Sequence, residues 1–359
     1  MQDNISWWKK FDYVLFVAVM LLIVFGILMI ASSTRGAIDP ELIRRVPDQV
    51  TFAIAGVAAM TIFALIDYRL LGSLHRWIYG LMLVLLLLVQ FFGVEGDGGA
   101  QSWLNLGIRV QPSEIAKTFI IITLAVFLSQ NYKELDKFST LVKSMIHVGI
   151  PAALIFIEPD LGNTIVFAVI WSILVWGAGI RLKHVALLLS VLLLALPLIL
   201  TQLAPYQLQR ITVFLFRDNP DAQYNIDQAI ISIGSGGLVG KGYMAGSQTQ
   251  GRFLRVRHTD FIFSVIAHEF GIIGGMATLG LLGIVIMRIL RAARIAADAL
   301  GSLICYGVAG IIFFQTTVSI GMNLSLMPVT GLTLPFVSSG GTSLLFTMVG
   351  IGLVEGVVM

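Results

Sequence analysis

Residues 13–32 read YVLFVAVMLLIVFGILMIAS, and none of these twenty residues carries a charge. A helix of this length is about 30 Å long, which is the thickness of the hydrocarbon core of a bilayer. The rest of the chain has the same character, since 57% of its 359 residues are hydrophobic, 12% are charged and the mean hydropathy is +0.91. Soluble domains carry roughly 25% charged residues. The composition therefore predicts an integral membrane protein with many spans.

The same composition excludes other classes of protein. Disorder needs low hydrophobicity and high net charge. A disulfide-bonded secreted scaffold needs paired cysteines, and this chain has one cysteine, Cys305, within an apolar run. The net charge of +3 is too small to indicate a nucleic-acid partner.

Ten apolar stretches along the chain have the length of a membrane-spanning helix. We expect an all-α integral membrane protein with ten spans, built as a single polytopic domain over residues 1–359. The candidate spans centre on residues 13–32, 49–66, 77–94, 113–129, 141–157, 162–179, 184–203, 261–287, 301–321 and 341–358.

Basic residues in the short loops predict the orientation, because cytoplasmic loops are enriched in Lys and Arg. With a cytoplasmic N-terminus, twelve basic residues lie inside and four lie in short outer loops, namely Arg35, Arg44, Arg45 and Arg109. Both termini are therefore expected in the cytoplasm. The inside set is Lys9, Lys10, Arg69, Arg76, Lys133, Lys137, Lys143, Arg181, Lys183, Arg288, Arg291 and Arg294.

Residues 204–260 form a large extracytoplasmic loop between spans 7 and 8 in this topology. Loops of this length usually carry function. Apolar residues recur there at helical spacing in two sets, Leu208, Ile211 and Leu215, then Ile226, Ile230 and Ile233. We expect two short helices that lie in the outer interface, the second ending at a glycine-rich turn.

That turn, residues 234–242, reads GSGGLVGKG. Its spacing matches neither a Walker A loop nor the dinucleotide-binding pattern. Two interpretations stay open. The segment is either a set of tight turns or a nest of backbone amides that, with Lys241, binds an anionic group.

Asp260 directly precedes the eighth predicted span and also has two compatible interpretations. The pattern alone favours a helix N-cap. The alternative is a reactive carboxylate at the membrane surface, close in sequence to cations and suited to an anionic lipid head group. The nearby basic and polar residues are Arg252, Arg255, Arg257, His258 and Thr259.

Glu269 lies nine residues after Asp260, about 13–14 Å further along the helix and on its opposite face. The two carboxylates therefore cannot form an acid–base pair, and we expect Glu269 to bond to a neighbouring helix. Glu114 and Lys117 begin the fourth span at i, i+3 spacing, which predicts either an ion pair or the lining of a cavity.

Two turns also contain candidate residues. Asp160 is expected to cap the sixth span from the turn at residues 159–162. Residues 338–343, which read SSGGTS, predict close-packed backbone or hydroxyl donors to a ligand. The scattered histidines show no spacing typical of a metal site.

These segments together, in this order, resemble the SEDS family (shape, elongation, division and sporulation). Within the family, GSGGLVGKG at residues 234–242 is more similar to the elongation branch, RodA, than to the division branch, FtsW. Arg255-Val256 and His268 depart from the family pattern. The segments that carry the resemblance are GAQSWL at 99–104, QPSEIAK at 111–117, PDLG at 159–162, YQLQR at 206–210, residues 233–242, and HTDFIF at 258–263.

The resemblance implies a ten-span peptidoglycan glycosyltransferase that polymerises lipid II with inversion in the bacterial inner membrane, with its active site facing outside. It also implies a partner, a class B penicillin-binding protein, besides other membrane proteins of the elongation complex. Asp260 is then the candidate general base. The other expected substrate-site residues are Arg45, Glu114, Lys117, Asp160, Arg210, Lys241, Gln248, His258, Thr259, Ser338 and Gly340, and Glu269 is structural or of uncertain role.

The cations among these residues, Arg45, Lys117, Arg210 and Lys241, would offset the charge of the pyrophosphate leaving group. A divalent cation, Mg²⁺ or Mn²⁺, could do the same, although no cofactor is certain. Two other functions stay open, a flippase for lipid II and a non-catalytic scaffold for the penicillin-binding protein. An acidic centre at the membrane surface favours the enzyme, and one at the midplane favours the flippase.

Overall fold

A computed structural model describes residues 10–95, 101–105, 107, 109–134, 137–158, 160–180, 184, 201, 205–216 and 219–359. This part of the chain is almost entirely helical. Its helices are α1 (Tyr13–Thr34), α2 (Pro40–Leu65), α3 (Tyr68–Ser73), α4 (His75–Phe92), α5 (Pro112–Gln130), α6 (Phe138–Ile157), α7 (Leu161–Gly177), α8 (Pro205–Phe216), α9 (Pro220–Gly236), α10 (Ser247–Gln250), α11 (Ile262–Ile295), α12 (Ala299–Asn323) and α13 (Gly341–Val358).

Nine of the ten predicted spans coincide with described helices. Eight of these helices are long and apolar enough to cross a membrane, and the ninth, α7, is a shorter apolar helix. The seventh predicted span, residues 184–203, lies almost wholly outside the described residues, so the count of ten spans and their orientation stay predictions. Helices α8 and α9 lie in the two stretches of the long loop where helices were expected, and their placement in the outer interface stays a prediction.

Helices α5 and α12 form the centre of the helical body. In the most apolar stretch of each of these two helices, 78% of the residues are buried, whereas only 17% are buried in the corresponding stretch of α4. Around them, α13 packs along α2, α11 packs along α1 and α12, and α7 packs against α12. Because α5 is buried on nearly every side, the charged residues in its first turns face protein and not lipid.

A small antiparallel sheet, absent from the sequence prediction, joins α4 to α5. It consists of β1 (Val94–Glu95), β2 (Gln101–Asn105) and β3 (Arg109–Val110) in that order. Strands β1 and β3 have only two residues each, and the five residues of β2, QSWLN, do not alternate between polar and apolar. The last strand ends just before Gln111, so the sheet fixes the start of α5.

Helix α11 is broken at Gly271, whose φ of 66° and ψ of −163° are not helical. The segment at residues 237–242 fills the break with its backbone. The amides of Ile272 and Ile273 donate to the carbonyls of Gly237 and Leu238, at 2.9 and 3.2 Å. These two amides after the break are therefore paired, as a helix inside a membrane requires.

The same segment also pairs with the helix from the other side of the break. The amides of Lys241 and Gly242 donate to the carbonyls of His268 and Glu269, both at 3.0 Å. The amides of Gly240, Lys241 and Gly242 are therefore bonded within the protein and are not free to bind an anionic group. The glycines permit close backbone contact, since a Cβ on Gly240 would lie 2.1 Å from the Glu269 carbonyl oxygen.

We predict that Gly271→Ala destabilises the protein by about 2–3 kcal/mol, because alanine is strained at this positive φ. Its Cβ would also lie 2.3 Å from the Leu238 carbonyl oxygen. Gly280→Ala in the same helix is the matched control, since nothing lies within 4 Å of its Cβ position. Thermal unfolding in detergent checks the prediction, and equal melting temperatures for the two variants would contradict it.

Candidate active site

Asp260 lies in a turn before α11 and is half-buried. The helix begins at Ile262 with Phe261 as its N-cap residue, whose own side chain makes no capping hydrogen bond. The prediction that Asp260 caps this span is therefore wrong. The physical reason is a tight turn in which the Phe261 amide donates to the Val256 carbonyl at 3.2 Å, which delays the start of the helix by one residue.

The two residues before Asp260 are held by the loop that precedes α13. The Ser339 amide donates to the His258 carbonyl at 3.0 Å, and the Ser338 hydroxyl donates to the Thr259 carbonyl at 2.8 Å. The same hydroxyl accepts from the Leu334 amide at 2.9 Å. Of the two interpretations of this loop, close packing is therefore the one that its contacts support.

Asp260 itself is held from α12. The Asn323 Nδ2 donates to the Asp260 carbonyl at 2.8 Å, and also to the Ser319 carbonyl at 2.7 Å. The Asn323 Oδ1 accepts from the amide and the hydroxyl of Ser264, at 3.0 and 2.6 Å. One buried side chain thus joins the end of α12, the Asp260 backbone and the first turn of α11.

Glu114 and Lys117 form the predicted ion pair at the start of α5. The Lys117 Nζ lies 2.6 Å from the Glu114 Oε1, and the side chains are 4% and 8% exposed. The lining of a cavity, their other predicted role, is also observed. Both residues line a cavity together with Gln315 of α12 and Thr347 of α13. The cavity volume of about 30 Å³ is enough for about two water molecules.

Asp160 caps α7, as predicted. Its Oδ1 accepts from the Asn163 amide at 3.0 Å, and its Oδ2 accepts from the Asn163 and Gln111 side-chain amides at 2.8 and 3.2 Å. Burial raises the pKa of Asp160, and the hydrogen bonds from Asn163 oppose this shift. The charge of Glu114 also raises the pKa of Asp160, and the charge of Lys117 lowers it. The three side chains therefore form one electrostatic cluster.

The loop before α13 connects this cluster to the Asp260 turn. Ser338 bonds to the Thr259 carbonyl at one end, and the Gln111 amide donates to the Thr342 hydroxyl at 3.4 Å at the other. Gln49 of α2 holds the middle of the loop, since its Oε1 accepts from the Gly340 amide at 3.3 Å. The structure therefore brings the Glu114–Lys117–Asp160 cluster and the Asp260 turn to opposite ends of one short loop.

Other predicted substrate-site residues lie on separate elements. Arg45 and Arg210 are half-buried on α2 and α8. Lys241 is exposed in the segment that fills the break in α11. Gln248, on α10, has its amide 3.5 Å from the His268 Nε2. Contact of these four residues with a substrate stays a prediction.

Glu269 has the structural role expected of it. Its carboxylate is fully buried and accepts hydrogen bonds from the Ser32 hydroxyl of α1 and the Met244 amide. His268, also fully buried, lies 2.9 Å from the Ser235 hydroxyl of α9 through its Nδ1. The two residues thus attach α1 and α9 to the helix just before its break.

Three buried side-chain amides were not predicted from the sequence, those of Gln49, Gln315 and Asn323. Each is at most 2% exposed within an apolar helix. A lone amide in an apolar span is itself a signal, because such side chains usually bond across helices or line a cavity. The spacing of Gln315 and Asn323, eight residues apart, also places them on one face of α12.

The model of the FtsW, RodA and SpoVE family, which is described as a cell cycle protein family, matches residues 12–359. The chain belongs to this family. The resemblance to the SEDS proteins is thereby confirmed. A family relative from Escherichia coli K12, named peptidoglycan glycosyltransferase MrdB, is 33% identical over 358 residues, which cover 98% of this chain and 95% of MrdB.

Solved structures of the FtsW, RodA and SpoVE family share the fold. The crystal structure of the rod shape determining protein RodA from Thermus thermophilus matches with a TM-score of 0.73 and 30% identity, over 98% of this chain and 97% of that one. A structure that concerns the coordination of polymerization and crosslinking by a peptidoglycan synthase complex matches with a TM-score of 0.83 and 29% identity, over 97% of each chain. The protein is therefore a multi-pass bacterial membrane protein with a RodA-like fold.

We predict that Lys117→Met lowers stability by about 3–5 kcal/mol, because it leaves the buried Glu114 carboxylate without its cation. Lys137→Met is the matched control, since Lys137 pairs with Glu134 at the same i, i+3 spacing and 2.7 Å but in an exposed position. This control is expected to show no measurable change. Denaturant midpoints in detergent test the difference, which should shrink when Glu114→Gln is added to Lys117→Met.

Glu158, between α6 and α7, gives a pH prediction. Burial and, to a smaller extent, the nearby Asp160 carboxylate together raise the pKa of Glu158 from 4.5 to about 8. Between pH 4.5 and about pH 8, Glu158 keeps its proton in the folded protein but has lost it in the unfolded chain. The free energy of unfolding should therefore fall as the pH rises through this range. Glu158→Gln should reduce this slope between pH 5 and pH 8, whereas the exposed Glu134→Gln should leave it unchanged. An unaltered slope in Glu158→Gln would contradict the assignment.

Proposed function

We propose that this protein is a peptidoglycan glycosyltransferase that polymerises lipid II into glycan strands during cell elongation. The observation that carries the proposal is the placement of Asp260, whose backbone is fixed from two sides at the start of a spanning helix. The start of a spanning helix lies near the membrane surface. A lipid-linked sugar must react there, because its lipid stays in the membrane. The match to MrdB over nearly the whole chain supports the same reaction class.

The reaction is a displacement with inversion at the donor sugar. The Asp260 carboxylate removes the proton from the acceptor hydroxyl, whose oxygen then forms the new glycosidic bond. The bond between the sugar and the lipid pyrophosphate breaks, and the pyrophosphate leaves with its electron pair. One carboxylate and a set of cations are enough for this step, since no acid is needed to protonate pyrophosphate.

The growing charge on the pyrophosphate needs nearby cations. Lys117 is the cation with the best support, because it is buried beside a cavity and shares an electrostatic cluster with Asp160. Arg45, Arg210 and Lys241 are further candidates. Within the described part of the chain there is no group of three or more His, Cys, Asp and Glu side chains that could hold a metal ion, so no step is assigned to a divalent cation.

The proposed partner is a class B penicillin-binding protein, which would crosslink the new glycan. A solved structure with the same fold concerns the coordination of polymerization and crosslinking, and this supports such a partner. The proposed location is the bacterial inner membrane, with the Asp260 end of the helices outside. The basic residues that favour this orientation include Arg288, Arg291 and Arg294 at the opposite end of α11.

A lipid II flippase is the second candidate, because broken helices are typical of transporters. In this chain, however, the break in α11 is filled by the segment at residues 237–242. The carboxylate next to the break, Glu269, is already bonded to Ser32 and Met244. These contacts favour a structural role for the break over an ion-coupling role.

We predict that Asp260→Asn lowers polymerisation of lipid II by at least 100-fold, because an amide cannot accept the acceptor's proton. Asp67→Asn is the matched control, since asparagine can keep the N-cap that Asp67 provides to α3. The assay uses purified protein with its partner in detergent, where no second compartment exists. A normal amount of polymer from Asp260→Asn would refute the assignment of Asp260 as the base. If the unaltered complex made no polymer, the flippase or the scaffold function would be favoured.

A further inference from the structure

Three consecutive backbone carbonyls at the candidate base, those of His258, Thr259 and Asp260, each accept a hydrogen bond from another part of the chain. The donors are the Ser339 amide, the Ser338 hydroxyl and the Asn323 side-chain amide, at 3.0, 2.8 and 2.8 Å. We call these three hydrogen bonds the carbonyl clamp. A turn that forms no helix of its own is thus fixed at every residue leading to the carboxylate.

We propose that Ser338 and Asn323 are positioning residues that act on the reaction through Asp260. This inference rests on the proposed function, because it assumes that Asp260 is the base. A base works only when its oxygen lies within hydrogen-bond reach of the proton it removes. The backbone of Asp260 sets where that oxygen lies, and the carbonyl clamp sets the backbone.

The hydrogen bonds of Asn323 leave its side chain no freedom. Its Nδ2 donates to two carbonyls and its Oδ1 accepts from both donors of Ser264, and the residue is 0% exposed. The carboxamide therefore uses both of its donors and both of its acceptor sites. A side chain fixed in this way transmits the position of α12 to Asp260.

Ser338 is fixed in a similar manner. Its hydroxyl accepts from the Leu334 amide and donates to the Thr259 carbonyl, and the side chain is 4% exposed. Gln49 continues the connection, since its Nε2 donates to the Ser338 carbonyl at 3.3 Å. The carbonyl clamp connects Asp260 to α12 and to the loop before α13, and Gln49 connects that loop to α2.

The chain offers matched controls for both residues. Ser144 of α6 is 1% exposed, and its hydroxyl also accepts from an N–H group, Trp171 Nε1, and donates to a carbonyl, that of Leu141. Gln90 of α4 donates its side-chain amide to the Leu154 carbonyl of α6 at 3.0 Å. Both controls lose hydrogen bonds between helices without touching the Asp260 turn.

The test measures kcat and KM for lipid II polymerisation by the complete complex, with the melting temperature of each variant. Ser338→Ala and Asn323→Leu should lower kcat by about 10- to 100-fold, because small displacements of a reacting group cost that much. The KM should change by less than about twofold, and Ser338→Thr, which keeps the hydroxyl, should recover most of the rate. Ser144→Ala and Gln90→Leu should keep the kcat of the unaltered protein.

Two outcomes would overturn the inference. One is an unchanged kcat in Ser338→Ala while Asp260→Asn is inactive, which leaves the proposed function intact. The other is an equal loss of kcat and melting temperature in Ser338→Ala and Ser144→Ala, which would indicate general destabilisation. Activity in Asp260→Asn would instead refute the base assignment itself. If Asn323→Leu fails to fold, Ser338→Ala and Ser338→Thr decide the question alone.

Discussion

Inside a hydrocarbon layer, a polar group that lacks a partner within the protein costs several kcal/mol, since no water can replace that partner. The break in α11 satisfies this constraint at the backbone level. Gly271 interrupts the helix, and the segment at residues 237–242 supplies acceptors and donors for the amides and carbonyls that the break leaves open. Glycines are needed on both sides because the two backbones approach within the space that a Cβ would occupy. The long loop before α11 is therefore partly an internal component of the helical body.

The same constraint arranges the charged and amide side chains. Lys117 is buried, and its counter-charge stands one turn earlier in the same helix. Asn323 and Gln49 are buried too, and each holds backbone of a neighbouring segment. As a result, the polar residues of the core form connections between helices, and these connections converge on the Asp260 turn and on the start of α5. A site built this way is rigid without needing many charges, which fits a chain with only 12% charged residues.

Much of this fold is predictable from the sequence, because a span must be apolar over a fixed length and the pattern can be counted. Nine predicted spans and the two loop helices α8 and α9 correspond to described helices. The ion pair of Glu114 and Lys117 and the cap at Asp160 followed from local spacing. The start of α11 did not follow from local spacing. A turn closed by the hydrogen bond from the Phe261 amide to the Val256 carbonyl forms where the sequence pattern predicts a cap at Asp260. The carbonyl clamp was also out of reach, since its donors and acceptors are separated by 63 to 81 residues and no periodicity links them.

The filled break in α11 has a consequence for how the protein is made. The segment at residues 237–242 leaves the ribosome before α11, yet its partners are in α11. It cannot dock until the later helix has entered the membrane, so docking is a post-insertion step. In the finished fold, the amides of Ile272 and Ile273 bond to that segment instead of to carbonyls four residues earlier in the helix. Assembly of this region is therefore expected to finish late, with α11 inserted as two half-helices that are joined by a segment synthesised earlier.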